Sequence, residues 1–168
     1  KDIFRLKMIT ERFSKIGSQP ELKSQDINTI VKNSFYYMKD RSSSKIDFKL
    51  DISEKAVFSY LNTQLFGWVI ENIMRNAIDA LQGKGEIKVA IKEHSKNVTI
   101  DISDNGKGIK SSQLKTVFEP GYTTKLRGWG LGLSLVKRIV EDYHKGQVYI
   151  LHSELGKGST FRISLLKS

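Results

Sequence analysis

Three polar side chains recur on one predicted helix at spacings that bring them together. Apolar residues at helical spacing predict a long helix over residues 63–82. At about 100° per residue, Asn72, Asn76 and Asp79 fall within an arc of about 60° beside the apolar half of this helix. Such oxygen-bearing side chains suit Mg²⁺, which takes one or two protein ligands together with water and phosphate oxygens. For this helix alone, a polar flank facing solvent is the better interpretation.

A carboxylate and two glycines follow an alternating strand. The segment 104–109 reads DNGKGI, directly after a strand predicted by alternating apolar residues. A carboxylate at Asp104 could accept a hydrogen bond from the amino group of an adenine, while Gly106 and Gly108 would let the backbone approach a flat ring closely. Because Asn-Gly is also common in hairpin turns, a simple turn remains open for this segment alone.

Two further glycine-rich segments stand near predicted element ends. The first, 128–132, reads GWGLG and precedes a helix that begins near Leu133, where unpaired backbone N–H groups could meet phosphate oxygens. It matches neither the dinucleotide fingerprint nor a Walker P-loop. Hydroxyls and cations lie just upstream, at Thr123, Thr124, Lys125 and Arg127. The second segment, 156–161, enters the last predicted strand, and alone it would be interpreted as a connecting turn.

The elements around these segments indicate an α+β fold. Predicted helices cover residues 1–17, about 26–41, 63–82 and about 133–145, and alternating strands cover 45–52, 87–91, 98–102, 147–153 and 159–166. Helices interleaved with strand pairs predict a two-layer α/β sandwich, with helices on one face of a mixed, mainly antiparallel sheet. Pro20 separates the first helix, so residues 1–20 and 21–168 are predicted as separate parts.

Composition narrows the function classes. The chain has 168 residues and no cysteine, which excludes disulfides and thiolate metal sites. No apolar run approaches the length that crosses a bilayer, so the segment is expected to be soluble and to make no membrane contact. A net charge of +10 suits a polyanion such as a nucleotide, nucleic acid or membrane surface. Because the lysines are spread along the chain without interleaved aromatics, nucleic acid is not expected as a partner.

In this order and at these distances, the four segments resemble the N, G1, G2 and G3 boxes of histidine kinase catalytic domains. Residues 117–120, VFEP, resemble the F box. The resemblance covers residues 25–166, and the stretches 76–81 and 118–125 are most similar to the nitrogen-regulator-like branch. It implies the Bergerat fold of the superfamily that includes gyrase, Hsp90 and MutL, with Mg·ATP bound.

The resemblance also implies roles for individual residues. Asn76 would hold Mg²⁺, Asn72 would support the phosphate side, and Asp104 would read the adenine amino group. Lys125 or Arg127 would be the cation nearest the γ-phosphate. Further nucleotide contacts are expected at Asp79, Gly106, Gly108, Ile109, Phe118, Thr123, Thr124, Gly128, Trp129, Gly130, Leu131, Gly132, Ser159 and Thr160.

One departure from the family's motifs and one difference from related ATPases bear on the reaction. Trp129 stands where the G2 box commonly has Thr or Ser, which removes one expected hydroxyl near the phosphates. Related ATPases carry a water-activating Glu four residues before the Mg-binding Asn, and this chain has Asn72 there. An amide cannot act as a general base, which favours transfer to an incoming nucleophile over hydrolysis. A GHKL-type ATPase, an anti-sigma-type serine kinase module and a non-catalytic nucleotide-sensing or nucleic-acid-binding module are the alternatives.

The resemblance extends to partners and location. Residues 1–20 resemble the end of a dimerisation and phosphoacceptor helix, so a homodimer is expected in the full-length protein, with a response regulator downstream. No histidine of this chain is followed by the carboxylate expected beside a phosphoacceptor, so that histidine is expected outside the sequence. The domain is expected on the cytoplasmic side, with an inner-membrane anchor in the full-length protein as one arrangement.

Overall fold

The computed structural model describes residues 19–121 and 132–168. The strands are β1 (Lys23–Asp26), β2 (Ile46–Asp51), β3 (Phe58–Leu61), β4 (Gly85–Glu93), β5 (Asn97–Asp104), β6 (Gln147–Glu154) and β7 (Gly158–Leu166). The helices are α1 (Ile27–Asp40), α2 (Thr63–Leu81) and α3 (Gly132–Arg138), with two 3₁₀ turns at Ser111–Gln113 and Thr116–Phe118. The helix predicted over residues 1–17 lies outside the described residues.

Five strands form the main sheet, in the order β2-β4-β5-β7-β6. Strands β2 and β4 are parallel and the other neighbours are antiparallel. This arrangement confirms the predicted mixed, mainly antiparallel sheet. The last strand in the sequence, β7, therefore lies between β5 and β6 in the interior of the sheet.

A second sheet of two strands was not predicted. Strands β1 and β3 pair in antiparallel fashion, with Lys23 opposite Leu61 and Asp26 opposite Phe58. Four residues are too few for an alternating pattern to stand out, and β1 contains no apolar residue. The short sheet joins the start of the domain to the residues that lead into α2.

The helices form a layer on one face of the main sheet. Asp26 begins α1, because its side chain accepts the Asn28 backbone N–H, and Asn62 begins α2 by accepting from Leu65. Helix α2 packs against β4, β5 and β7 and is the most deeply enclosed helix of the described chain. Its fully buried side chains include Leu65, Phe66, Val69, Ile70, Ile73 and Met74.

The other face of the main sheet carries polar pairs. Asp101 on β5 and Arg162 on β7 form a bidentate ion pair, with both N···O distances 2.7 Å. Because side chains alternate along a strand, this face is opposite to the one that carries Ile100, Ile102 and Phe161. We call it the open face.

Helix α3 changes its winding before it ends. Residues Gly132–Arg138 are α-helical and Ile139–Tyr143 form a π-helical turn, after which His144 N–H donates to the Ile139 carbonyl at 3.1 Å. The predicted helix is confirmed over this span, although its periodicity gave no sign of the π turn. Within the part of the chain that the structure describes, every helix falls short of the length and apolarity that spanning a membrane requires.

Candidate functional site

Asp104 lies at the end of β5, where backbone N–H groups fix its carboxyl group. Its Oδ1 accepts the Gly106 N–H at 2.9 Å, and the carboxyl group also accepts a hydrogen bond from the backbone of Ser159. Burial raises the pKa of Asp104, and the two backbone hydrogen bonds partly offset that rise. A half-buried carboxyl group held in this way can accept a hydrogen bond from a ligand at a fixed position.

The loop after Asp104 packs too closely for side chains at its glycines. A Cβ atom at Gly106 would overlap the Ala80 carbonyl at the end of α2. Gly108 has φ +73°, and a Cβ atom there would overlap the Glu154 carbonyl of β6. The absence of side chains at these glycines therefore allows the loop to pack between α2 and β6.

Ser153 connects this loop to the final strand, and the sequence had not pointed to it. Its hydroxyl accepts the Ile109 N–H at 2.8 Å and lies 2.8 Å from the Ser159 hydroxyl. A register irregularity between Ile150 and His152 on β6 precedes the position where Ser153 faces Ser159. The sequence does not show the register between β6 and β7, so it could not indicate that Ser153 links the loop to β7.

Ser159 and Thr160 do not both reach the site. Ser159 is buried and pairs with Asp104 across β5 and β7, on the helix-covered face. The Thr160 hydroxyl lies 2.9 Å from the Ser103 hydroxyl on the open face. The expectation for Thr160 needs this correction, because neighbouring residues of a strand point to opposite faces.

Asn72 carries a buried donor without a partner. The residue is 4% exposed, and its Nδ2 has no hydrogen-bond partner among the described residues. A buried polar group left unpaired costs about 1–3 kcal/mol, so such a group calls for an explanation. A ligand oxygen at this position would satisfy the amide, as the predicted phosphate contact requires.

The three polar residues of α2 differ in depth. Asn72 is buried, Asn76 is half-buried one turn later, and Asp79 is exposed near the end of the helix. The predicted arc is therefore graded from the core to solvent. Within the described ranges no group of three or more His, Asp or Glu side chains could hold a metal. The ligands that this region could offer Mg²⁺ are therefore amide oxygens such as that of Asn76, together with phosphate oxygens of a bound nucleotide.

Gly132 begins α3 directly over Asn72. A Cβ atom at Gly132 would lie 2.9 Å from Asn72 Nδ2 and 3.0 Å from Oδ1. The glycine therefore allows α3 to begin in contact with the unpaired amide. The structure thus brings together Gly132 and Asn72, two residues predicted from separate segments.

Phe118 and Ile109 contribute to packing around the site. Phe118 is buried, and its ring meets Phe161 edge-on with centroids 6.0 Å apart. Ile109 is half-buried against the core. Both side chains anchor the segments on which a ligand pocket would depend. The predicted contacts at Thr123, Thr124, Lys125, Arg127, Gly128, Trp129, Gly130 and Leu131 lie outside the described residues.

Known proteins resemble this chain in sequence. Residues 62–168 match the model of the family described as histidine kinase-, DNA gyrase B-, and HSP90-like ATPase. Sensor histidine kinase ZraS of Escherichia coli (strain K12) is 35% identical over 145 residues, which cover 86% of this chain and 31% of ZraS. The chain thus spans about a third of the length of that relative.

Solved structures share the architecture. The catalytic domain of histidine kinase ThkA superposes with a TM-score of 0.80 at 24% identity, covering 88% of this chain and 97% of that one. ThkA in complex with response regulator protein TrrA gives a TM-score of 0.78 at 21% identity, covering 99% of this chain and 48% of ThkA. At these identities the likeness establishes the two-layer fold.

Proposed function

Because this chain belongs to the family of histidine kinase-, DNA gyrase B- and HSP90-like ATPases, we propose that it is the Mg·ATP-binding catalytic domain of a sensor histidine kinase. The observation that carries the proposal is a pair of groups with opposite hydrogen-bonding roles. Asp104 offers an oriented acceptor at the end of β5, and Asn72 offers a buried, unpaired donor beneath the start of α3. The first suits the amino group of adenine and the second suits a phosphate oxygen.

Asn76 would hold Mg²⁺ in this proposal, since it lies one turn beyond Asn72 on the same side of α2. Bound there, the ion would neutralise charge on the ATP phosphates. Lys125 or Arg127 would supply a cation near the γ-phosphate, and the glycines of segment 128–132 would supply backbone donors. Thr123 and Thr124 would add hydroxyl contacts.

The absence of a general base at position 72 favours phosphoryl transfer over hydrolysis. The family's ATPases need a general base to draw a proton from water, and the amide of Asn72 cannot serve as one. The γ-phosphoryl group would instead pass to an imidazole nitrogen. The P–N bond would form as the bond from the γ-phosphorus to the β–γ bridging oxygen breaks and ADP leaves. The imidazole proton would pass to the carboxylate expected beside the accepting histidine. The accepting histidine would belong to a dimerisation domain, and in the full-length protein a response regulator would receive the phosphoryl group next.

Calorimetry with Mg·ADP tests the binding half of the proposal. Asp104→Ala should lose most of the affinity, because nothing else at the end of β5 replaces the acceptor. Asp51→Ala is the matched control, since this carboxylate is 68% exposed on the open face. Equal affinity for ADP in the parent and Asp104→Ala would remove Asp104 from the site.

ATP turnover distinguishes the kinase from the alternative ATPase. A domain built to hold ATP for an incoming imidazole should hydrolyse it far more slowly than the rate of about 1 s⁻¹ found in ordinary enzymes. Steady hydrolysis near that rate by the isolated chain would favour a GHKL-type ATPase.

A further inference from the structure

His144 joins two helices at the end remote from the nucleotide. It is 7% exposed and follows the π turn that ends at Tyr143. Its Nε2 lies 3.1 Å from the backbone nitrogen of Asn62, and its Nδ1 lies 2.9 Å from the Ile139 carbonyl oxygen. The imidazole therefore connects the end of the π turn to the residue that begins α2.

These two partners determine the protonation state of the ring. The Asn62 backbone N–H can only donate, so Nε2 must accept and cannot carry a proton. The Ile139 carbonyl can only accept, so the single ring proton lies on Nδ1. A neutral imidazole is thus the one form that satisfies both hydrogen bonds.

Asn62 is itself a structural junction. Its side-chain oxygen accepts the Leu65 N–H at 3.1 Å, and its side-chain amide donates to the Glu21 carbonyl at 3.2 Å. The His144 ring also lies 5.8 Å from the Phe66 ring on the next turn of α2. Fixing Asn62 therefore fixes the start of the helix that carries Asn72.

The two ends of the helix pair are coupled by geometry. Helix α3 and its π turn run from Gly132 to His144, while α2 runs in the opposite sense from Asn62 past Asn72. Gly132 meets Asn72 at one end, and His144 meets Asn62 at the other. A shift of the π turn along α2 would therefore move Gly132 relative to the Asn72 amide.

We propose that His144 is a positioning residue for nucleotide binding, whose neutral imidazole holds α3 in place along α2 and so keeps Gly132 seated on Asn72. The inference rests on the proposed function, because Asn72 is assigned to the phosphate side of ATP. His144 contacts no nucleotide, and it acts through the packing of the two helices.

Protonation at Nε2 would break the hydrogen bond to Asn62. The charged groups nearest in the chain to His144 and its contacts are Glu21, Lys23, Arg138, Glu141, Asp142 and Lys145. Among the described residues no charged group contributes to the pKa of His144: burial lowers it, and the Ile139 carbonyl offsets part of that. The neutral form therefore persists in the folded chain below the ordinary histidine pKa of about 6.5 and is lost as pH falls through the lowered pKa.

The experiment compares His144→Gln and His144→Phe with the parent by Mg·ADP calorimetry, from about pH 8 through the ordinary histidine pKa of about 6.5 to the most acid pH at which the parent stays folded. The affinity of the parent for Mg·ADP should fall as the pH decreases through the pKa of His144. Gln offers a neutral acceptor to Asn62, so His144→Gln should keep the affinity at high pH and lose the part of the acid dependence due to His144. Phe offers none, so His144→Phe should bind roughly two- to thirtyfold more weakly at high pH. His152 is an exposed histidine of β6, so His152→Gln should have the affinity and pH dependence of the parent.

A readout without nucleotide separates the two proposals. The Asn72 side-chain amide resonance should titrate with the His144 ring in the parent, and it should be displaced in His144→Phe. If the parent fails to bind ADP at high pH, the proposed function fails and this resonance still decides the role of His144. A resonance that neither titrates nor moves, or a folded His144→Phe with the parent's affinity and pH profile, overturns the inference. Should His144→Phe not fold, a His144→Gln variant with unchanged acid dependence overturns it equally.

Discussion

At the scale of single residues, Asp104 would determine which base the proposed site accepts. An ionised carboxylate has only acceptor atoms, and two backbone groups fix its orientation. In the proposed site it would therefore favour the amino group of adenine and disfavour the carbonyl oxygen that guanine presents at the same ring position.

Asp104→Asn should reduce this discrimination. The amide keeps one acceptor and gains a donor, so ADP affinity should fall about tenfold or more, from the loss of a hydrogen bond to a charged group, while the disadvantage of GDP shrinks. Calorimetry with both nucleotides measures the ratio, with Asp51→Asn as the exposed control. An unchanged ratio of ADP to GDP affinity would show that Asp104 does not contact the base.

Residue types and spacing were enough to single out Asp104 and Asn72 as candidates, and their roles remain predictions. They could not separate Ser159 from Thr160 at the site, because that choice depends on the phase of alternation in β7. Ser153 and His144 were missed for a different reason: their hydrogen bonds join them to residues far away in the sequence, Ile109 and Asn62.

At the scale of elements, the contact between α2 and α3 depends on the absence of a side chain at Gly132. Asn72 has no room to retreat, since it is buried among the core residues of α2. A methyl group added at Gly132 would have to move either the amide or the helix.

Gly132→Ala should therefore weaken nucleotide binding and also destabilise the fold by about 1–3 kcal/mol. Gly67→Ala is the matched control on α2, because its Cβ atom would lie 3.5 Å from the Ser34 hydroxyl, an ordinary contact. That control should be neutral or stabilising by about 0.5–1 kcal/mol, as expected for alanine in a helix interior. Denaturant unfolding and ADP titration measure both effects; unimpaired binding in Gly132→Ala would rule out this contact as a determinant of the site.

We expect side chains on the open face of the main sheet to contribute to stability and not to nucleotide binding. Asp101 and Arg162 have side chains only 19% and 26% exposed, and they lie on the face opposite to Asp104. Arg162→Leu should leave a partly buried carboxylate without its partner and destabilise the domain by about 1–3 kcal/mol. Lys49→Gln breaks an exposed pair on the same face and should cost about 0–1 kcal/mol. Denaturation midpoints test the difference, and a loss of ADP affinity in folded Arg162→Leu would contradict the independence of the faces.

Elements with a long periodic pattern could be predicted, and short ones could not. The nineteen residues of α2 and the alternating strands β4, β5 and β7 carry enough apolar positions to define one face. Strands β1 and β3 are defined by pairing with each other, and the π turn is defined by packing. Neither leaves a local signature.

At the scale of the whole molecule, the chain supplies a site for ATP but no suitable phosphoacceptor. Both ring nitrogens of His144 are engaged in hydrogen bonds inside the fold. His94 and His152 are each followed by serine, which cannot draw off an imidazole proton as a carboxylate does.

Incubation of this chain with radiolabelled ATP should accordingly leave no acid-labile phosphate on it. A separately added dimerisation domain with its histidine should become labelled, and Asp104→Ala should abolish that labelling because ATP is no longer held. Label on the isolated chain that disappears in His94→Gln or His152→Gln would refute this division of roles.

The interior position of β7 also bears on how the domain is made. Ribosomes deliver the chain in order, and β7 is the last of the described strands to emerge although it must pair with both β5 and β6. Until residues 158–166 are free, β5 presents an unpaired edge and β6 has no neighbour, so the nascent sheet cannot close. The Ser168 N–H donates to the Phe58 carbonyl at 3.0 Å, which joins the residues after β7 to β3. Closure of the sheet therefore waits for residues 158–166, and a chain without them would lose the middle of its sheet.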